Sequence, residues 1–182
     1  MSVSCDQPGL MSIEVAKAQI SQLVNSVTQT EQIQLERALG RVLAEDIYST
    51  IDVPGYDNSA MDGYAFRLQD LIELSTLTVV GKSFAGSPYL KHLSEGECVR
   101  IMTGAAVPSG ADTIMMQENA IAKGDQVSFT KIPKKGNDLR LAGENIKKNS
   151  LVSIIGKKLT ASDIGLLSSL GCDLVRVYRK LK

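Results

Sequence analysis

From Asp52 to about Leu151 no apolar run goes beyond a few residues before glycine, proline, asparagine or aspartate interrupts it. The runs themselves, "LTVVG", "CVRIM", "DTIMM" and "QVSFT", are short and rich in β-branched residues. An amphipathic helix needs about ten or more residues of unbroken 3.6-residue periodicity, and such lengths are missing here. The spacing therefore predicts short strands joined by turns, a compact and mostly antiparallel β domain over 52–149.

The two ends of the chain have a different texture. "LMSIEVAKAQISQLVNSV" sets Ile13, Ala16, Ile20, Leu23, Val24 and Val27 at helical spacing behind Ser12, whose hydroxyl can accept from an orphan amide. This predicts an N-terminal helix within 10–28. "IQLERALGRVLAED" predicts a shorter helix with Leu35, Ala38 and Leu39 on one face, Gly40 ending or bending it, and an extended Ile47 region after it. "SLVSIIG" is a predicted strand. In "LTASDIGLLSSLGC", Thr160 and Asp163 form a capping box with Asp in place of Glu. Ile164, Leu167 and Leu170 make its buried face, and Gly171 is a left-handed stop. "LVRVY" returns as a strand. The expected fold is α+β, with the mostly antiparallel β domain inserted into a small α/β domain built from both ends, 29–51 plus 150–180.

Composition removes several function classes. The 182 residues suffice for one good core or two small domains, and acidic and basic side chains balance at 20 each. Phosphate neutralisation needs clustered Lys and Arg, so no nucleic-acid partner is expected. The basic groups at Lys131–Lys135 and Lys147–Lys148 are solvated loop ends. Cys5, Cys98 and Cys172 stand far apart, which fits reduced thiols in the cytosol better than a disulfide framework. No charged and apolar leader follows Met1, and no apolar run approaches the roughly 20 residues that span a bilayer. A cytoplasmic protein without a membrane partner is expected. His92 is the sole histidine, and its charged surroundings mark a loop residue. Zinc or copper would lack ligands. There is no phosphate loop of the GxxxxGK type, no GxGxxG, and no base beside a serine nucleophile.

Carboxylates, amides and hydroxyls on glycine-punctuated loops remain. "DVPGYDNSAMDGYAFR" gathers Asp52, Asp57, Asn58, Ser59 and Asp62; "RIMTGAAVPSGADTIMMQE" carries Thr103, Gly104, Asp112 and Glu118; "DLRLAGENIKK" carries Arg140, Glu144 and Asn145. Such groups can hold a hard cation such as Mg²⁺ through oxygen, or hydrogen-bond a polar heterocycle or sugar, with Arg140 as a fork on phosphate. Asp57-Asn58-Ser59 reads equally well as a turn. Asp62 enters a strand that otherwise looks buried, so its carboxylate must be paired, hydrogen-bonded or functional. Met115 and Met116 read as strand core.

These segments, with "GKSFAG" and "AGENIKK…LTASDIGLLSSLG", resemble in order the N-terminal region of the molybdopterin molybdenumtransferase family, related to the C-terminal part of gephyrin. The resemblance runs from about Leu10 and implies an elongated molecule, the first two domains of a homodimeric enzyme. That enzyme inserts molybdenum from molybdate into adenylylated molybdopterin and releases AMP with Mg²⁺. It implies a cleft between the β domain of one subunit and an α/β domain of the other. That α/β domain follows a segment like "VRVYRK" and carries most pterin-binding and molybdate-binding residues. Carried over by position, Asp62 and Thr103 are the catalytic expectations. Arg140 is the substrate-binding one, with Asn58, Ser59 and Gly104 beside it. No metal ligand is expected in this chain; Asn145 stands where the family often has a carboxylate. The pterin substrate, the second subunit and the molybdopterin adenylyltransferase are the partners implied. The N-terminal helix is expected to pack on the α/β domain that this sequence lacks. A non-catalytic scaffold or binding module is the alternative expectation.

Overall fold

The computed structural model describes residues 11–181; expectations on Cys5 and Leu10 lie outside them. The fold is mixed α+β, and its contacts divide the chain into two compact units. One is made from the chain ends, up to Asp46 and from Ile154 onward, and the other is Ile47–Ser153.

In the chain-end unit, helix α1 spans Ile13–Leu23, and the Ser12 hydroxyl accepts from the Val15 amide at 3.3 Å. It stops one turn before Val27, and none of its residues is buried. The segment expected as a second helix, 33–46, forms only a single 3₁₀ turn, Leu35–Arg37, and its first two residues close strand β1, Thr30–Gln34. Strand β12, Leu174–Tyr178, pairs antiparallel with β1, Thr30 facing Tyr178, and this long-range ladder overrides the local helical preference. Leu35 and Ala38 are buried as expected, but Leu39 is exposed.

Helix α3, Ala161–Ser169, begins with the expected box: Thr160 Oγ1 accepts from the Asp163 amide, and Asp163 Oδ2 accepts from the Thr160 amide at 2.9 Å. Leu167 and Leu170 are buried, and Gly171 follows at φ +75°. Lys157 Nζ donates to Asp163 at 2.6 Å. This ammonium, together with the Thr160 donors, holds the Asp163 carboxyl down at about 2. A depressed carboxylate stabilises the fold fully above its unfolded value of 3.8 and loses that contribution as pH falls toward 2. Thr160→Ala should cost about 1 kcal/mol in denaturant titrations at neutral pH. Asp163→Asn should flatten the loss of stability between pH 4 and pH 2 when the same titration is repeated across that range.

The inserted unit holds the strands β2 (Ile47–Tyr48), β3 (Asn58–Ser59), β4 (Gly63–Phe66), β5 (Thr76–Ser83), β6 (Glu97–Ile101), β7 (Thr113–Met116), β8 (Ala120–Lys123), β9 (Gln126–Phe129), β10 (Leu139–Arg140) and β11 (Leu151–Ser153). Strands β2 and β11 pair with each other and belong to this unit rather than to the chain ends. A six-stranded sheet runs in the order β7-β4-β6-β5-β9-β8, antiparallel throughout except for the parallel β5–β6 pair. Sequence reading missed β8 and the helix α2, Leu68–Leu74, which lies between β4 and β5.

Alternation along β4 divides the packing. Tyr64 and Phe66 face one core with Leu71, Leu77, Cys98, Met115, Val127 and Phe129, while Ala65 joins Ile101, Ala105 and Ile114 in a second. The sheet is curled, since the Phe66 and Phe129 rings, from strands that are not neighbours, lie 5.0 Å apart. Burial pushes the Cys98 thiol up to about 12, so it is an inert core group. Asp70 is fully buried but satisfied: Arg67 Nε donates to it at 2.7 Å and the Gly96 amide at 3.1 Å, which ties α2 to the entry of β6.

Candidate functional site

Backbone pairing, with the Asp62 side chain at one end, gathers the six residues singled out by sequence onto one strip of the inserted unit. Strand β3 lies between two segments. On one side Arg140 faces Asn58 and Leu139 faces Ser59 across the β3–β10 pair. On the other the Ser59 amide donates to Ala105 O at 3.1 Å, and the Gly104 amide donates to Ser59 O at 2.8 Å. Gly104 sits at φ +79°, the left-handed turn that lets the chain after β6 double back toward β3.

Asp62 closes the strip just before β4. Its Oδ1 accepts from the Thr103 amide at 2.8 Å and from the Thr103 hydroxyl at 2.7 Å, while its backbone carbonyl accepts from Gln117 at 3.0 Å. The Thr103 amide and then its hydroxyl hold the Asp62 carboxyl below the usual carboxylate range; burial opposes them, and the Arg100 guanidinium adds the weakest lowering effect. Asp62 is thus an ionised, immobilised carboxylate, and Oδ2 has no partner among the described residues. Arg140 is exposed, and its guanidinium makes no hydrogen bond or ion pair among the described residues. A fixed anion and a free fork-shaped cation on one rigid strip suit a ligand carrying both N–H donors and a phosphate.

The remaining polar side chains of the opening cluster serve the frame. Asn58 is almost buried and donates to Tyr56 O at 3.1 Å; Ser59 is fully buried and its hydroxyl donates to Met61 O. Asp57 Oδ1 accepts from the Ala142 amide at 2.7 Å, and Asp52 Oδ1 accepts from the Lys148 amide at 2.8 Å. These carboxylates lash the 140–148 segment to the loop before β3, the local role for which Asp and Asn are suited. Asp112 is another brace. Burial raises its pKa, but the Leu68 amide, the Thr113 hydroxyl and Lys135 outweigh that and lower it. Glu144 accepts from the Leu141 amide, and His92 is exposed beside the Ser109 hydroxyl.

The donor set does not suit a resident Mg²⁺. Among the described residues no three carboxylate, histidine or cysteine groups converge, and Asp62 has already committed Oδ1 to two donors. No helix among the described residues is long and apolar enough to cross a membrane. The chain-end unit has a hollow of about 470 Å³ lined by Val27, Gly40, Arg41, Tyr178 and their neighbours. Its Arg41 guanidinium is committed to Glu31 and to Tyr178 O.

The family described as the MoeA N-terminal region (domain I and II) matches residues 11–171. A molybdopterin molybdenumtransferase of Haemophilus influenzae is 43% identical over 174 residues, covering 95% of this chain and 43% of the relative. One from Nostoc sp. is 36% identical over 86% of this chain and 37% of its own length. The crystal structure of a molybdopterin biosynthesis moeA protein from Pyrococcus horikoshii superposes with a TM-score of 0.80 at 33% identity, over 86% of this chain and 43% of that one. The chain spans less than half the length of these relatives. A matched region of this extent, the same fold, and shared sequence across both units lead to one conclusion: the chain belongs to the MoeA N-terminal family.

Proposed function

We propose that this chain supplies one wall of the cleft in which a molybdopterin molybdenumtransferase transfers molybdenum from molybdate to adenylylated molybdopterin, with release of AMP. The observation that carries this reading is the Asp62–Thr103 pair on the same β3-centred strip as Arg140, whose guanidinium has no partner among the described residues. The Asp62 carboxylate accepts N–H donors of the pterin, and the Arg140 fork takes a phosphate. Thr103 is a positioning residue, because both of its donors are spent on Asp62. No nucleophile or base is required of this wall; it works by orienting substrate and by charge set in place beforehand. The metal oxyanion is substrate. The second wall, from a partner subunit in a homodimer, and the encounter with a molybdopterin adenylyltransferase belong to the same proposal.

The test is calorimetric titration of molybdopterin into a chimera in which this chain replaces the matching region of the Haemophilus influenzae relative. Saturable binding is expected, weakened about tenfold by Arg140→Ala, the effect of losing one charge-assisted grip. Equal affinity in Arg140→Ala, Asp62→Ala and the parent chimera would remove this strip from the cleft.

A further inference from the structure

The curled sheet leaves a groove of about 300 Å³ at one end of its first core, lined by Tyr64, Val79, Lys82, Phe84, Arg100 and Met102 with Ala122 and Gly124. Register explains its chemistry. Tyr64 of β4 faces Arg100 of β6, and Arg100 faces Lys82 of β5, a row across three adjacent strands. Lys82 would fall on the opposite side from Val79 in a regular strand. A bulge between Val79 and Gly81 shifts the register by one and turns Lys82 to the side of Tyr64. The Arg100 guanidinium lies 5.1 Å over the Tyr64 ring, donates to Gly63 O at 2.7 Å, and reaches Gln117 Oε1. Phe84 is 41% exposed at the rim.

Two cations in direct register repel each other; the Asp62 carboxylate acts on Arg100 from outside the groove, and among the described lining residues no carboxylate faces Lys82. Lys82 is exposed, with no ion pair among the described residues. An anion seated between Lys82 and Arg100 would remove that repulsion, while Tyr64, Phe84 and Met102 offer apolar faces to a flat ring. The groove also adjoins the Asp62–Thr103 pair, since its lining residue Met102 directly precedes Thr103, only Gly63 stands between Tyr64 and Asp62, and Arg100 acts on Asp62 electrostatically.

We propose that this groove binds a planar heterocycle bearing a phosphate, the ring against Tyr64 and Phe84 and the phosphate on Lys82 and Arg100. The proposal deepens the cleft reading and rests on it only in that both sites meet one substrate. Either a nucleoside monophosphate or a phosphorylated pterin has this chemistry.

The test titrates this chain with AMP, molybdopterin, adenosine and inorganic phosphate, followed by calorimetry. One of the first two should bind at least about tenfold more tightly than phosphate or adenosine, and which one does so identifies the source of the ring. Lys82→Ala should weaken that binding about tenfold, while Lys131→Ala, which does not line the groove, leaves it unchanged. Arg100→Gln also disturbs the Tyr64 stack, so the exposed Lys82 carries the decision. Affinity no better than that of phosphate, or indifferent to Lys82→Ala, overturns the groove. In the chimera, loss of molybdopterin binding in Arg140→Ala but not in Lys82→Ala would sink the groove and keep the cleft wall. The opposite pattern would sink the wall and keep the groove.

Discussion

Gly63→Ala is expected to lower the stability of the inserted unit by on the order of 4 kcal/mol, or to prevent its folding. A Cβ built on Gly63 would meet Met115 O at 2.0 Å and Met115 C at 2.8 Å. Both are backbone atoms, so no rotamer change relieves the clash, and β4 must separate from β7. Strand β4 is interior to the sheet and supplies side chains to both cores, so the damage reaches each of them. Net stabilities of about 5–15 kcal/mol leave little reserve against such a loss. The measurement is a urea unfolding curve, set against Gly165→Ala. Nothing lies within 4 Å of a Cβ at Gly165 in α3, and its φ is ordinary, so alanine there should stabilise by about 0.5–1 kcal/mol. Equal midpoints for parent and Gly63→Ala would show that β4 and β7 do not approach this closely in solution.

Asp62→Ala should lower molybdenum cofactor formation by the chimera about a hundredfold while leaving its urea midpoint unchanged. Asp62 braces no core element. Its partner Thr103 is exposed, and the pair sits at the end of β4 rather than under it. Asp62→Asn keeps the shape and removes the charge, so activity close to the parent's would mean that hydrogen-bond geometry alone matters. Thr103→Val keeps the amide donor and deletes the hydroxyl, one of the two groups that lower the Asp62 pKa. The pKa should then rise toward the usual carboxylate value, and the acid limb of the activity profile should move to higher pH. An unmoved acid limb with unchanged rate would show that the Thr103 hydroxyl does not tune the carboxylate. If Asp62→Ala instead unfolds, and activity returns once stability is restored by Gly165→Ala, the carboxylate is structural.

The strands of the inserted unit were legible because alternation and turn residues are local signals. "LTVVG", "CVRIM", "DTIMM" and "QVSFT" became β5, β6, β7 and β9. The α3 box was legible for the same reason, since Thr160 and Asp163 are three residues apart. Residues 33 and 34, the start of the expected second helix, were misread because their partner, β12, lies far along the chain, and a helical local pattern carries no trace of it. At the site, residue types were readable but their directions were not. Asn58 and Ser59 looked like ligand groups and turn inward to backbone carbonyls. The Asp62–Thr103 contact spans 41 residues, and only the family resemblance placed the two together. Lys82 and Arg100 escaped notice because isolated cations in strands read as solvated positions, and a bulge hides their common side.

The pairing of Ile47 with Ser153 joins the two crossing points of the chain. Closing an unstructured loop of roughly a hundred residues costs about 2–3 kcal/mol more than closing a tight turn. Once the inserted unit has folded, its ends already stand side by side, and the chain-end unit meets it as though it were a short hairpin. The order of synthesis points the same way. The whole insert is synthesised before β12, the partner that β1 awaits, so β1 stays unpaired while the insert is being made.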